Sequence, residues 1–272
     1  MSSAALEILL KRDRRIVVAA VVVLAALAWV YLLWLARSMS MAGMPMAEMP
    51  DMPAMNLSAA VTPMLRPWTA GDFTFIFLMW AIMMVGMMTP SATPMILIYA
   101  RVAHHSALDG KPLAATGWFA GGYLLSWTAF SLVAAFAQVL LERAAFLTPM
   151  MEAATGGIGG VVLIAAGLYQ CTPLKDACLR QCQSPFAFIQ AQGGFKDGIA
   201  GSIRLGLRHG FYCIGCCWML MALLFAGGVM NIAWIAAIAI FVLLEKAIPA
   251  GRIITRIAGA CLAITGLWLF FK

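Results

Sequence analysis

Seven apolar runs, at about 16 to 36, 73 to 100, 117 to 141, 155 to 170, 211 to 229, 231 to 247 and 253 to 271, account for most of this chain. A bilayer hydrocarbon core about 30 Å thick accommodates about 20 apolar residues as a helix. Runs of this length and number predict an all-α fold, a polytopic transmembrane helix bundle of about seven spans. Charged residues make up only 11% of the sequence and apolar ones 64%, against roughly 25% and 45–50% in soluble domains, which excludes an ordinary soluble enzyme. The short alternating strands of a membrane β-barrel are missing.

The formal net charge of +7 does not mark a nucleic-acid surface, because the basic residues are spread among short loops rather than gathered on one face. Orientation explains them better. With seven spans and a cytoplasmic N-terminus, all of the 18 Lys and Arg except Arg37, Arg66, Arg143 and Lys272 fall on the inner side. Positive loops are held on that side, so the C-terminus is expected to be extracytoplasmic. The apolar run from Ile16 to Ala36 exceeds the usual 7–15-residue core of a signal peptide, so residues 1–36 read as a cytoplasmic N-terminus and a retained first anchor helix. Residues 37–72 read as a flexible extracytoplasmic loop broken by Pro45, Pro50, Pro53, Pro63 and Pro67. Residues 73–272 form a six-span membrane domain with a cytoplasmic Cys-rich segment at 171–217.

The outer loop carries the first chemical signal. Met39, Met41, Met44, Met46, Met49, Met52 and Met55 recur every two or three residues in a stretch that prolines keep from forming a buried helical stripe. Methionine elsewhere is a gap-filler in cores. A thioether is also a neutral, soft donor suited to Cu(I) and poor for Mg²⁺ or Ca²⁺, and the loop offers only Glu48 and Asp51 as hard ligands. Copper or silver capture and low-complexity filler are both open on the sequence.

The second apolar run repeats the theme. Met79, Met83 and Met87 lie at i, i+4 and i+8 on one helical stripe, and Met84 and Met88 form a second stripe about 100° round from it. Met95 follows Pro90 and Pro94, which are expected to kink or unwind the helix near its inner end. Thr89, Ser91 and Thr93 stand ready to satisfy backbone groups freed there. Packing and ion transfer are equally compatible with such a stripe.

Six of the seven cysteines, Cys171, Cys178, Cys182, Cys213, Cys216 and Cys217, map to the inner end of the fourth run, the loop after it and the start of the fifth. Cys261 stands alone in the last run as a small packing residue. Thiols facing the cytosol are kept reduced, which favours metal ligation or redox work over structural disulfides. Cys213 and Cys216 have the spacing to share one ion, Cys217 gives a third sulfur, and Cys178 and Cys182 share a face of any short helix. Such a set suits Cu(I), with Zn²⁺ or an iron–sulfur cluster less favoured; thiol–disulfide exchange and plain burial stay open. Lys175, Arg180, Arg204, Arg208 and His209 are expected to surround it with the positive potential that favours a metal-binding thiolate. For Arg204 and Arg208, an interfacial helix touching lipid phosphates is the favoured reading. His104 and His105 lie on another inner loop. Glu245 and Lys246 read as a local ion pair, or as a carboxylate gate.

Gly117 and Gly121, Gly156 and Gly160, and Gly206 and Gly210 have the small-xxx-small spacing that lets helices approach closely. No phosphate-binding loop, nucleotide motif or Ser-His-Asp set is present.

Trp80 with Met83, Met84, Met87, Met88 and Pro90, then Lys175-x-x-Cys178-Leu179-x-x-Cys182 with Ser184-Pro185, then the run from Gly210 through Cys213, Cys216 and Cys217 to Trp218, and finally Glu245-Lys246, resemble a bacterial family of predicted metal-binding integral membrane proteins, a domain of unknown function. The resemblance covers roughly residues 70 to 250. It implies a bacterial inner-membrane, multi-pass location and a metal site, and no established reaction.

The leading expectation is a membrane protein handling Cu(I), in uptake, transfer or delivery. Met39 to Met55 collect the ion, the stripe from Met79 to Met95 passes it on, and the cysteines receive it with His209 beside them. The bilayer, the ion and a periplasmic or cytoplasmic metallochaperone are the partners this implies; no nucleic acid is expected, and the sequence is silent on oligomeric state. Two alternatives stand beside it: a membrane thiol–disulfide oxidoreductase using Cys213 and Cys216, and a membrane assembly factor with a structural metal. A non-enzymatic role is favoured over an enzymatic one.

Overall fold

A computed structural model describes residues 3–42, 69–105, 112–148, 151, 153, 155–194, 198–248 and 251–272. Among the described residues ten helices follow one another: α1 (Ser3–Ala42), α2 (Ala70–His105), α3 (Pro112–Arg143), α4 (Gly156–Gln170), α5 (Pro173–Gln183), α6 (Pro185–Ala191), α7 (Gly198–Ala222), α8 (Leu224–Gly227), α9 (Ile232–Ala247) and α10 (Gly251–Phe271). Among the described residues the fold is all-helical, with one isolated bridge between Leu147 and Ala153 as its extended element.

Five helices, α1, α2, α3, α7 with α8, and α10, are long and apolar enough to cross a membrane; α4 with α5 makes a sixth if that pair, bent by 66°, counts as one span. The runs at 155–170 and 231–247 form helices of 15 and 16 residues, shorter than a full crossing. Local sequence explains both. The Thr172 backbone is extended and its side chain caps α5 ahead of Pro173, which cannot continue the preceding helix. At the other, α9 ends at Ala247 two residues ahead of Pro249.

Close backbone contacts set the frame. In the parallel pair α3–α7, a Cβ on Gly122 would stand 2.3 Å from the Ile203 carbonyl, one on Gly206 2.1 Å from the Phe119 carbonyl, and one on Gly210 2.5 Å from Ser126. The antiparallel pair α4–α10 meets through Gly160 against Gly266 and Gly167 against Gly259, each with less than 3 Å for a Cβ. Such spacing lets packing and weak backbone contacts do the work that apolar burial does in water. Gly117 and Gly121 meet nothing.

Apolar residues cover both the inside and much of the outside. Trp80, Trp127, Tyr99, Phe119 and Leu32 are fully buried, while Val22, Leu27, Val30 and Trp34 on α1 and Ile253, Ile257, Ile264 and Trp268 on α10 are exposed. α2 is a single helix through both prolines, so the expected unwinding is not what forms. Thr89, Ser91 and Thr93 donate instead to the carbonyls of Val85, Met88 and Thr89 within the helix, knitting the proline-bearing turns together.

Candidate functional site

On α5, Lys175, Cys178, Leu179 and Cys182 lie at i, i+3, i+4 and i+7, which is one helical face. That face turns onto α7 and α9. Leu179 is buried, the Cys178 sulfur packs against Gly215, and Cys182 lies beside Cys213 and Cys216. The buried face of α7 has the same period, with Leu205, Gly206, His209, Gly210, Cys213, Cys216, Cys217, Leu220 and Met221 turned inward. The packing of α5 on α7 thus brings four sulfurs, Cys182, Cys213, Cys216 and Cys217, into one region.

Cys213 is the hub. Its Sγ lies 2.9 Å from Lys246 Nζ and 3.2 Å from the Tyr123 hydroxyl. Its backbone carbonyl accepts the thiols of Cys216 at 3.0 Å and Cys217 at 2.9 Å. Lys246 also donates to Ser91 Oγ at 3.1 Å, and Tyr123 donates to the Met88 carbonyl at 3.1 Å. The site therefore ties α2, α3, α7 and α9 at the middle of α2, since Met88 and Ser91 fall about halfway between Ala70 and His105. From Ser91 to Arg101 is about 15 Å along the helix axis. The buried thiols thus meet α2 near its midpoint and well away from Arg101.

His209 stands one turn before Cys213, almost fully buried against the rings of Phe119, Tyr123 and Phe188, at centroid separations of 6.0, 5.6 and 5.3 Å. Its Nδ1 has no hydrogen-bond partner, a costly arrangement for a buried polar atom. Met79, Met83, Met84, Met87 and Met88 are all buried in the same core, as is Met95. Cys171 is exposed, and Cys261 likewise. Met44, Met46, Met49, Met52 and Met55 lie outside the described residues, and so do the side chains of Met39, Met41, His104 and His105.

Several expectations about neighbouring charges need correction. Glu245 and Lys246 do not pair with each other. Both carboxylate oxygens of Glu245 accept from Lys175 Nζ at 2.9 Å, and Oε1 also accepts from Thr255 Oγ1 at 3.0 Å. Consecutive helical residues point about 100° apart, so Lys246 faces Cys213 while Glu245 faces α5 and α10. Lys175 is thereby taken up by the carboxylate, Arg180 donates to the Asp176 carbonyl, and Arg208 donates to Gln192. Arg204 and Arg208 belong to α7 itself, not to a separate interfacial helix. The cation that meets the thiol is Lys246. Sequence reasoning passed over Tyr123, since a tyrosine inside an apolar run carries no periodic signal, and gave Ser91 a backbone partner only, without its contact to Lys246.

No three of the described His, Cys, Asp or Glu side chains converge closely enough to hold a metal as a preformed cage. The donor set nonetheless has the chemistry of a soft-ion site: thiols, with buried thioethers close by in the same core and no carboxylate left free, since Glu245 is engaged. Residues 77–269 match the family model PpoB2, described as a copper chaperone. The chain belongs to this copper chaperone family. The match takes in α2 from Phe77, the whole thiol cluster, Lys246 and nearly all of α10, and agrees with the metal-related character that the sequence resemblance implies. No curated protein and no solved structure matches the chain.

Proposed function

We propose that the chain is a multi-pass protein of the bacterial inner membrane that accepts Cu(I) between Cys213 and one neighbouring thiol, Cys182, and delivers it to an acceptor. The observation that carries this reading is the buried thiol cluster around Cys213, linked to the buried methionines of α2 through Tyr123, whose hydroxyl meets both the Cys213 sulfur and the Met88 carbonyl. Thioethers bind Cu(I) weakly and thiolates bind it strongly, so Met79, Met83, Met84, Met87 and Met88 form a low-affinity approach to a higher-affinity holding site. Met39 to Met55 collect the ion before it reaches α2. His209, with its unpartnered Nδ1, is the further ligand available on the Cys213 face. Seven crossings with the N-terminus inside, and the exposed apolar faces of α1 and α10 against lipid, complete the proposed placement.

Copper here is cargo. A holding site that closes on a monovalent ion without a rigid cage suits transfer to a partner, since a chaperone must also release what it binds. The test is copper content of detergent-purified chain loaded with Cu(I) under reducing conditions, for the parent, for Cys213→Ser with Cys216→Ser, and for the chain lacking residues 39–55. Bound copper lost with the cysteines and lowered without the loop is the expected result. A parent that retains no copper overturns the proposal.

A further inference from the structure

We infer that Lys246 is the specificity-determining residue of the thiol site, a fixed cation that matches it to a monovalent ion held by two thiolates. The inference deepens the copper reading above and rests on it. Lys246 Nζ contacts the Cys213 sulfur and Ser91 Oγ, and the carboxylate next to it in sequence is occupied by Lys175 and Thr255. Its counter-charge is therefore the sulfur site itself.

Charge arithmetic follows. Cysteine binds a metal as thiolate. Two thiolates carry −2, a monovalent ion +1 and Lys246 +1, so the loaded site is neutral in a setting where an uncompensated charge is expensive. Zinc on the same two thiolates is neutral without the lysine and carries +1 with it. Three thiolates with Zn²⁺ also balance Lys246, but a structural zinc site takes four ligands, and the described His, Cys, Asp and Glu side chains do not converge in threes. A two-sulfur site beside a fixed cation thus selects Cu(I) or Ag(I) against Zn²⁺ by charge, in addition to the softness of sulfur.

The experiment measures Cu(I) and Zn²⁺ affinity on the purified full chain by competition with chromophoric chelators, for the parent, Lys246→Met, Lys246→Gln and Lys246→Arg, with helical content and elution volume checking the fold. Breaking a buried charge pair costs the equivalent of about a hundredfold or more. Lys246→Met is expected to weaken Cu(I) by about a hundredfold while Zn²⁺ is unchanged or tighter, Lys246→Gln to follow it, and Lys246→Arg to retain the Cu(I) preference. Equal loss of both metals, or no change in their ratio, overturns the inference and leaves the copper reading standing. A parent that binds no Cu(I) overturns both. X-ray absorption on the copper-loaded parent gives a check free of substitutions: two short sulfur ligands per copper are expected, and three equivalent sulfurs overturn the charge balance.

Discussion

Two lysines enter the bundle, and they find different company. Lys175 is fully buried and bound by both oxygens of Glu245, whose carboxylate also takes the Thr255 hydroxyl. Three helices, α5, α9 and α10, are thereby fastened by a closed set of charges. Lys246, half-buried, meets a thiol and a serine. The first arrangement is complete in itself and reads as structure. The second places a cation against sulfur, and under the inference above an ion of single positive charge on two thiolates completes it. Sequence neighbours on α9, Glu245 and Lys246 thus meet different partners, because one helical step turns them toward different helices, and on the proposed function architecture and cargo are divided between them.

The largest effect that separates the two is expected from Lys175→Met. Leaving Glu245 buried without its partner costs about 3–5 kcal/mol, read as a fall in the unfolding midpoint in detergent, and Lys175→Met with Glu245→Met is expected to recover most of it. If Lys175→Met instead leaves stability intact and abolishes copper binding, the division of roles is wrong. Lys246→Met is expected to change stability by less than half that amount. Thr255→Val comes next, at about 1.5–3 kcal/mol for a hydrogen bond to a charged group, again with copper affinity unchanged. Smaller still is Ser91→Ala, at about 0.6 kcal/mol, the mean for interhelical hydrogen bonds in a membrane protein; it is expected to lower Cu(I) affinity slightly by loosening Lys246. A Ser91→Ala effect on copper exceeding that of Lys246→Met would move the selecting role from the charge to the hydroxyl.

How far the sequence could go depends on whether a contact is written within one helix. The face of Lys175, Cys178, Leu179 and Cys182 is legible from spacing alone, and so is the inward stripe of Met79, Met83 and Met87, because both repeat with the helical period. The convergence of Cys182 with Cys213 was legible as a clustering in sequence. The contact of Lys246 with Cys213 was not: the two are on different helices, and their common depth is set by where α9 stops. The same shortness of α4 and α9 escapes hydropathy, which measures how apolar a run is and not how far its axis travels. The orphaned Nδ1 of His209 likewise depends on three rings brought from α3 and α6.

Cys182 is carried on α5, which continues from the α4–α10 pair, whereas Cys213 is carried on α7, bound to α3 through Gly122, Gly206 and Gly210. An ion shared by these two sulfurs is a removable rivet between two plates of the molecule. Anything that binds the folded form stabilises it by mass action, so on the proposed function loading stiffens a junction that Cys178 against Gly215 already closes. An acceptor could then tell a full donor from an empty one by the stiffness of its surface, without ever touching the buried sulfur.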